Sequence, residues 1–287
     1  MQNKVKIIEC PRDAMQGIKE FISTEKKLRY IQFLLSVGFD TIDFGSFVSP
    51  KAIPQLRDTA EIITKLDLIH TNTKLLAIVA NVRGALDASK HDKITYLGYP
   101  FAISEMFQMR NTGQTISQSV KTLKEILKIA KQTNKEVVAY LSMGFGNPYG
   151  DPWSEEIVEE WTEKLVNMGV KILSLSDTVG TADPKIIHSL FSRLIPKYPQ
   201  IEFGAHLHTH PSKWHEKVDA AYKGGCRRFD GAIKGYGGCP MARDHVTGNM
   251  PTEKLVSYFT HKKANTGLNV LRFESAYNEA LGVFGDL

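Results

Sequence analysis

Apolar segments of strand length alternate with helix-like segments along most of the chain, and this alternation restricts the possible folds more than any other feature. The expected strands cover residues 5–9, 41–44, 74–79, 94–97, 137–141, 172–175, 203–208 and 228–232. The clearer expected helices cover residues 24–35, 54–65, 117–131, 154–168, 212–223 and 252–259. Successive strands joined by helices must run parallel, because each return to the same edge of a sheet needs a crossover connection.

Eight strand–helix units in a chain of 287 residues predict a closed (β/α)8 TIM barrel. The alternative is an open, doubly wound sheet, which usually begins with a Gly-rich turn after its first strand. Here that turn reads Cys10-Pro11-Arg12-Asp13 instead. Without a linker or a strong internal repeat, residues 1–287 are expected to form a single domain. Residues 266–287 are expected to be a carboxy-terminal extension, to which the pattern assigns no element.

The composition predicts an intracellular, soluble protein. Hydrophobic residues make up 42% of the chain and charged residues 23%, and no apolar run approaches the roughly 18 residues of a membrane span. The amino terminus lacks a leader pattern, which predicts a cytoplasmic location. The net charge of +5 suits an anionic substrate, and without a basic block interleaved with aromatic residues we expect no nucleic acid partner. An odd number of cysteines argues against a disulfide framework and leaves a free thiol available for chemistry.

The segment 202–210 (EFGAHLHTH) carries two histidines at the end of an expected strand. Side chains two apart on a strand point to the same face, so His206 and His208 can hold one metal ion together. The alternative interpretation is that the segment is only a strand end rich in histidine and binds no metal. Other chemically active residues also follow expected strands: Arg12, Asp13, Asp43, Asn81 and Asp177. Since a TIM barrel builds its active site at these ends, we expect the residues to converge there.

The expected ligand set is Asp13, His206, His208 and one further oxygen ligand. Mixed imidazole and oxygen ligands suit Mg²⁺, Mn²⁺, Zn²⁺ or Fe²⁺. A carboxylate, an amide and open water positions favour the harder ions Mg²⁺ and Mn²⁺, with Zn²⁺ as the alternative.

Several motifs resemble the 3-hydroxy-3-methylglutaryl-CoA lyase family of metal-dependent lyase barrels, from about residue 5 to about residue 259. The matching segments are 11–16 (PRDAMQ), 46–51 (SFVSPK), 177–180 (DTVG), 206–208 (HLH), 237–240 (GGCP) and 248–253 (GNMPTE). The Arg-Asp pair and the His-x-His are shared with a wider superfamily. Segments 46–51 and 237–240 are more specific to the lyases.

This resemblance implies retro-Claisen cleavage of an acyl-CoA into acetyl-CoA and a ketoacid. It implies Asp13, His206, His208 and Asn249 as metal ligands. Arg12 would stabilise the enolate, Cys239 would deliver a proton to it, and His206 or Asp13 would take the substrate's hydroxyl proton. The supporting residues it implies at the site are Gln16, Asp43, Asn81, Asp177 and Glu253. A homodimer is a further expectation from the resemblance.

A few positions depart from the pattern of the lyases, and they concern substrate identity more than the metal chemistry. Residues 209–212 read Thr-His-Pro-Ser where the lyases usually have Asp-Thr-Tyr-Gly. Ala14 and Ser176 replace glycines, Asp43 replaces a glutamate, and Asn147 stands where a cysteine is common. Three alternatives therefore stay open: an aldol cleavage without CoA, an acetyl-CoA-dependent condensation, and a non-catalytic paralogue that binds metal or CoA.

Overall fold

The computed structural model describes residues 4–238 and 247–285. The strands, in chain order, are β1 Lys6–Glu9, β2 Thr41–Ser46, β3 Lys74–Ile78, β4 Ile94–Ala102, β5 Glu136–Ser142, β6 Ile172–Asp177, β7 Glu202–Thr209, β8 Arg228–Gly231 and β9 Gly248–Asn249. The helices are α1 Pro11–Gln16, α2 Thr24–Val37, α3 Thr59–Lys65, α4 Val82–Ser89, α5 Glu105–Thr112, α6 Ile116–Gln132, α7 Glu155–Asn167, α8 Pro184–Lys197, α9 Trp214–Lys223, α10 Thr252–His261 and α11 Val270–Phe284.

Strands β1 to β8 close into a parallel barrel, which confirms the predicted TIM fold. Their order is β6-β5-β4-β3-β2-β1-β8-β7, and β6 also pairs with β7. All of these pairs are parallel. Every residue of β2 and β6 is buried, as expected for strands enclosed between the barrel interior and the surrounding helices. The short β9 is different, because it pairs antiparallel with the end of β7.

Local sequence signals explain several helix ends. Ser23 caps α2 by accepting the amide N–H of Lys26, one residue before the expected cap at Thr24. Gly38 ends this helix with a φ of +89°, a conformation that glycine adopts without strain. Gly113, with a φ of +69°, separates α5 from α6, and Thr115 and Gln118 form a capping box at the start of α6.

Several elements differ from the sequence prediction. The helix expected over residues 54–65 is a short 3-10 turn, Pro54–Leu56, followed by α3, Thr59–Lys65. The segment after β1 folds into the short helix α1, which begins at Pro11 and buries Arg12 and Asp13. Strand β4 extends to Ala102 and is five residues longer than expected, since the apolar pattern was interrupted by Gly98 and Pro100. The unassigned residues 266–287 contain α11, which packs against α2. Across the described residues, the helices are all too short or too polar to cross a membrane.

Candidate active site

A cavity of about 550 Å³ opens at the carboxyl ends of the barrel strands. Its lining includes Arg12, Asp13, Gln16, Asn81, His206 and His208. Residues that are far apart in sequence meet here, because β1, β3 and β7 all end at this side of the barrel. This is the side on which TIM-barrel enzymes place their active sites.

The two histidines of β7 are oriented by hydrogen bonds through their Nδ1 atoms. His206 Nδ1 lies 3.1 Å from Oδ2 of Asp230, and His208 Nδ1 lies 2.9 Å from the carbonyl oxygen of Thr178. Both partners are acceptors, so each Nδ1 carries the proton and each Nε2 presents its lone pair. The two Nε2 atoms are therefore available to a cation on the same side of the barrel mouth.

Those lone pairs converge on the carboxylate of Asp13. Oδ2 of Asp13 lies 3.8 Å from Nε2 of His206 and 3.9 Å from Nε2 of His208. Both distances are too long for hydrogen bonds, and Nε2 of His208 is buried without a partner among the described residues. Donor atoms about 2.1 Å from a shared ion can be at most about 4.2 Å apart, so these separations fit a metal ion. Asp13, His206 and His208 together form a metal-capable cluster.

Burial and charge act on these ligands in opposite directions. Burial disfavours the carboxylate of Asp13, but Arg12, the two histidines and Asn249 together outweigh this and lower its pKa. Burial and the neighbouring His206 lower the pKa of His208, which keeps its ring neutral. Burial also lowers the pKa of His206, yet the carboxylate of Asp230 more than compensates and raises it. The cluster thus has an ionised carboxylate beside a neutral His208.

Asn249 reaches the cluster from β9. Strand β9 places Asn249 opposite His208 in the antiparallel pair, and its side-chain amide donates a hydrogen bond to the carboxylate of Asp13. Nδ2 of Asn249 donates to the carbonyl oxygen of Tyr236 at 2.8 Å. Since the amide nitrogen is used in this way, Oδ1 is the atom available to a cation. Asn249 therefore lies beside the cluster, and its role as the fourth ligand stays a prediction.

Arg12 is held by three side chains beside the cluster. Its Nε donates to both carboxylate oxygens of Asp43, at 3.2 and 3.0 Å, and Nη2 donates to Oδ2 of Asp43. Its Nη1 donates to Asp13 at 3.1 Å and to Gln16 at 2.9 Å. Burial raises the pKa of Asp43 to about 6, although the guanidinium opposes this shift. Among the described residues, these bonds leave one of the five N–H groups of Arg12 for another partner.

The other expected site residues lie at different distances from the cluster. Asn81 lines the cavity but uses its Oδ1 to cap α4, accepting from the amide of Gly84 at 2.9 Å. Asp177 pairs with Lys217 at 2.6 Å. Glu253 accepts from the backbone amide of Lys234 at 2.9 Å, at the base of the segment that leads to Cys239. Cys239 itself lies outside the described residues, so its assignment stays a prediction.

Sequence reasoning missed three buried groups that hold this site. Asp230 orients His206, as described above. Lys217 donates to the carbonyl oxygens of Gly180 and His208 as well as to Asp177. Glu9 accepts from the amide of Ile233 at 2.9 Å and from the hydroxyl of Thr252 at 2.6 Å. These residues could have been found in the sequence because a charged residue inside an otherwise apolar strand is rarely buried without a role. Glu9 in β1 and Asp230 in β8 both fit this description.

The fold and the site together define a TIM-barrel enzyme of the lyase type, with a metal-capable cluster at the carboxyl ends of its strands. The chain belongs to the HMGL-like family, whose model matches residues 4–279. The match extends beyond residue 259, where we expected the resemblance to end, so most of α11 is part of the family pattern. The relatives support the lyase that the motifs imply, and they do not favour the three alternatives left open by the sequence.

Curated and solved relatives cover nearly the whole chain. The mitochondrial hydroxymethylglutaryl-CoA lyase of Macaca fascicularis is 32% identical over 97% of this chain and 85% of its own length. The crystal structure of the Bacillus subtilis HMG-CoA lyase has a TM-score of 0.92 at 31% identity, covering 99% of this chain and 94% of that one. An HMG-CoA lyase from Acinetobacter baumannii, solved with coenzyme A and 3-methylmalate, has a TM-score of 0.90 at 30% identity, covering 99% and 92%.

Proposed function

We propose that this lyase cleaves 3-hydroxy-3-methylglutaryl-CoA into acetyl-CoA and acetoacetate with the help of a bound Mg²⁺ or Mn²⁺ ion. The observation that carries the proposal is the convergence of the Nε2 atoms of His206 and His208 on Oδ2 of Asp13, at distances that fit a shared ion. The substrate assignment is supported by the acyl-CoA lyases among the relatives, one of which holds coenzyme A.

Asp13, His206, His208 and Asn249 would hold the cation. Bound there, a divalent cation supplies Lewis-acid stabilisation for oxygen atoms of the substrate. Zn²⁺ also accepts such a mixed ligand set, and the choice of Mg²⁺ or Mn²⁺ rests on the two oxygen ligands.

Arg12 is placed to stabilise the enolate of acetyl-CoA. Cleavage begins when the tertiary hydroxyl loses its proton, and the carbon–carbon bond then breaks to leave a ketone and the enolate. Arg12 lines the cavity with its guanidinium locked by Asp43, so its positive charge is already in place when the enolate forms. Such preorganised charge stabilises a transition state without further reorganisation.

Two proton transfers complete the reaction. Asp13 or His206 is expected to take the hydroxyl proton; a carboxylate keeps a free lone pair when it holds an ion, whereas both ring nitrogens of His206 are in use once Nε2 does so. Cys239 would return a proton to the enolate carbon, which gives acetyl-CoA. Burial raises the pKa of Cys10 and of Cys226, so neither of these thiols is suited to ionise.

The direct test measures acetyl-CoA release from 3-hydroxy-3-methylglutaryl-CoA after chelation and again after addition of Mg²⁺ or Mn²⁺. We expect turnover to disappear with chelator and to return with metal. His206→Ala should abolish turnover, while His70→Ala, at an exposed loop position, should keep it. A Cys239→Ala variant with full turnover would remove the thiol from the mechanism. Metal binding without turnover would contradict the proposed substrate and favour a hydroxy-ketoacid lacking CoA.

We also propose that the protein is a homodimer, because the lyases that this chain resembles are expected to be dimers. Light scattering at several protein concentrations tests this part separately. A monomer mass with full turnover would remove the dimer from the proposal and leave the chemistry intact.

A further inference from the structure

The peptide carbonyl of Tyr236 decides which atom of Asn249 faces the metal-capable cluster. It accepts Nδ2 of Asn249 at 2.8 Å, and this bond leaves Oδ1 for the cation. An amide turned the other way would present an N–H₂ group, which cannot ligate a cation. The direction of one backbone carbonyl therefore controls the fourth ligand.

The backbone at Tyr236 follows the short turn 233–235 and lies outside the strand ladder of the barrel. Tyr236 stands between Gly235, with a φ of +68°, and Gly237, with a φ of +83°, and glycine adopts these values without strain. Gly237 packs closely against the backbone of Asp13 and Ala14, which holds one side of this peptide. The side chain of Tyr236 offers a second contact that can hold the carbonyl toward Asn249.

The aromatic ring of Tyr236 provides that contact. It stacks on the ring of Phe284 with centroids 4.6 Å apart and planes at 29°. Phe284 is the last residue of α11 and only 2% exposed. Its other edge meets the ring of Tyr30 in α2, with centroids 5.7 Å apart. The carboxy-terminal helix is thus joined to the metal-capable cluster through one stack and one hydrogen bond.

We propose that Phe284 is a positioning residue for the metal centre, acting through the ring of Tyr236 on the side-chain amide of Asn249. This inference rests on the proposed metal-dependent function. Removing the stack lets the Tyr236 peptide turn, so Oδ1 of Asn249 is no longer held toward the ion. Outer partners that orient metal ligands typically contribute about 10- to 100-fold to metal affinity.

The test measures the dissociation constant of Mn²⁺ by calorimetry, without substrate. Phe284→Leu and Tyr236→Leu should each weaken Mn²⁺ binding by about 10-fold or more. Tyr236→Phe keeps the stacked ring and should stay within about twofold of the unmodified protein. Leu281→Ala, on the same helix and half-exposed, is the matched control and should not change the affinity. Asn249→Ala removes the proposed ligand itself, so it should give the largest loss of Mn²⁺ affinity among these variants.

Thermal unfolding of each variant separates positioning from packing. Phe284→Leu is expected to lower the melting temperature, but a purely structural role would lower it and leave the Mn²⁺ affinity unchanged. If Phe284→Leu does not fold, Tyr236→Leu gives the same answer from the loop side. Equal Mn²⁺ affinity in all variants overturns the inference and leaves the metal centre intact. An unmodified protein that fails to bind Mn²⁺ overturns the metal-dependent function itself.

Discussion

Asp13 and Asp177 are both buried aspartates at the carboxyl end of the barrel, but they differ in how their oxygens are used. Oδ1 of Asp177 accepts the amide of Thr181 at 3.0 Å, and its Oδ2 binds Lys217 at 2.6 Å. Oδ1 of Asp13 accepts from Arg12 and Gln16, which are neighbours in the same short helix. Its Oδ2 faces the two histidine Nε2 atoms beyond hydrogen-bond distance.

This difference distinguishes a carboxylate with a structural role, Asp177, from one that is available to a metal ion, Asp13. Buried polar atoms are nearly always paired within the protein, and a group that is not paired needs an explanation. The protein itself satisfies Asp177, so this residue stabilises the rim whether or not a ligand is bound. The Nε2 atom of His208 lacks such a partner in the described part of the chain, and a cation beside Asp13 would satisfy it.

Replacing Asp13 should have the largest effect on activity, and it should cost less stability than replacing Asp177, because Arg12 keeps its second carboxylate partner, Asp43. Asp13→Asn keeps the shape of the side chain but removes the negative charge between the two histidines. We expect turnover to fall at least about a thousandfold, since a metal ion contributes several kcal/mol to such a transition state. Mn²⁺ binding and acetyl-CoA release are the measurements. Asp92→Asn, at an exposed position, is the control, and an Asp13→Asn variant with normal metal affinity would contradict the ligand assignment.

Replacing Asp177 should have the opposite effect. It should lower the free energy of unfolding more than it lowers the rate of the reaction. Asp177→Asn leaves the ammonium group of Lys217, whose side chain is 3% exposed, without its countercharge. Breaking a buried ion pair from one side typically costs about 3–5 kcal/mol of unfolding free energy. Urea unfolding measures this loss. The double variant Asp177→Asn/Lys217→Met should recover part of it, and a double variant as unstable as the single one would argue against the pairing.

The sequence predicts the barrel and the cluster from local signals. His206 and His208 share a face because a strand repeats every two residues, and Asp13 follows a strand that ends at the same mouth. The contact between His206 and Asp230 depends instead on the register of β7 and β8, where Ala205 is paired with Phe229. Register is set by tertiary packing and is not visible in either strand alone. Side chains that position the ligands are therefore found only in the folded chain.

The stack of Phe284 on Tyr236 was missed for a similar reason. The two residues are far apart in sequence, and an isolated amphipathic pattern near the end of the chain predicts a helix at most. Its partner depends on where α11 packs, which is against α2. The proximity of the carboxy-terminal extension to Tyr236 is therefore visible only when the packing of α11 is known.

Glu9 is a third buried carboxylate at this rim, and it differs from Asp13 and Asp177 in having neutral partners. Ile233 and Thr252 donate to it, at the start and the end of the segment between β8 and α10. Burial raises the pKa of Glu9 from 4.5 to about 8, although both hydrogen bonds oppose the shift. The folded protein therefore holds this proton more tightly than the unfolded chain does.

Stability should consequently decline as the pH rises, and Glu9→Gln should remove this decline. The contribution of the protonated carboxyl is fully present below the ordinary carboxyl range and is lost as the pH rises through about 8. The largest slope for a single group is about 1.4 kcal/mol of unfolding free energy per pH unit. Glutamine resembles the protonated acid, so its variant should show a flatter profile in urea unfolding between about pH 5 and about pH 8. Glu160→Gln, at an exposed position, is the control. If Glu9→Gln keeps the slope of the unmodified protein, Glu9 is ionised in the folded state, and a cation rather than neutral donors must balance it, as in Asp177.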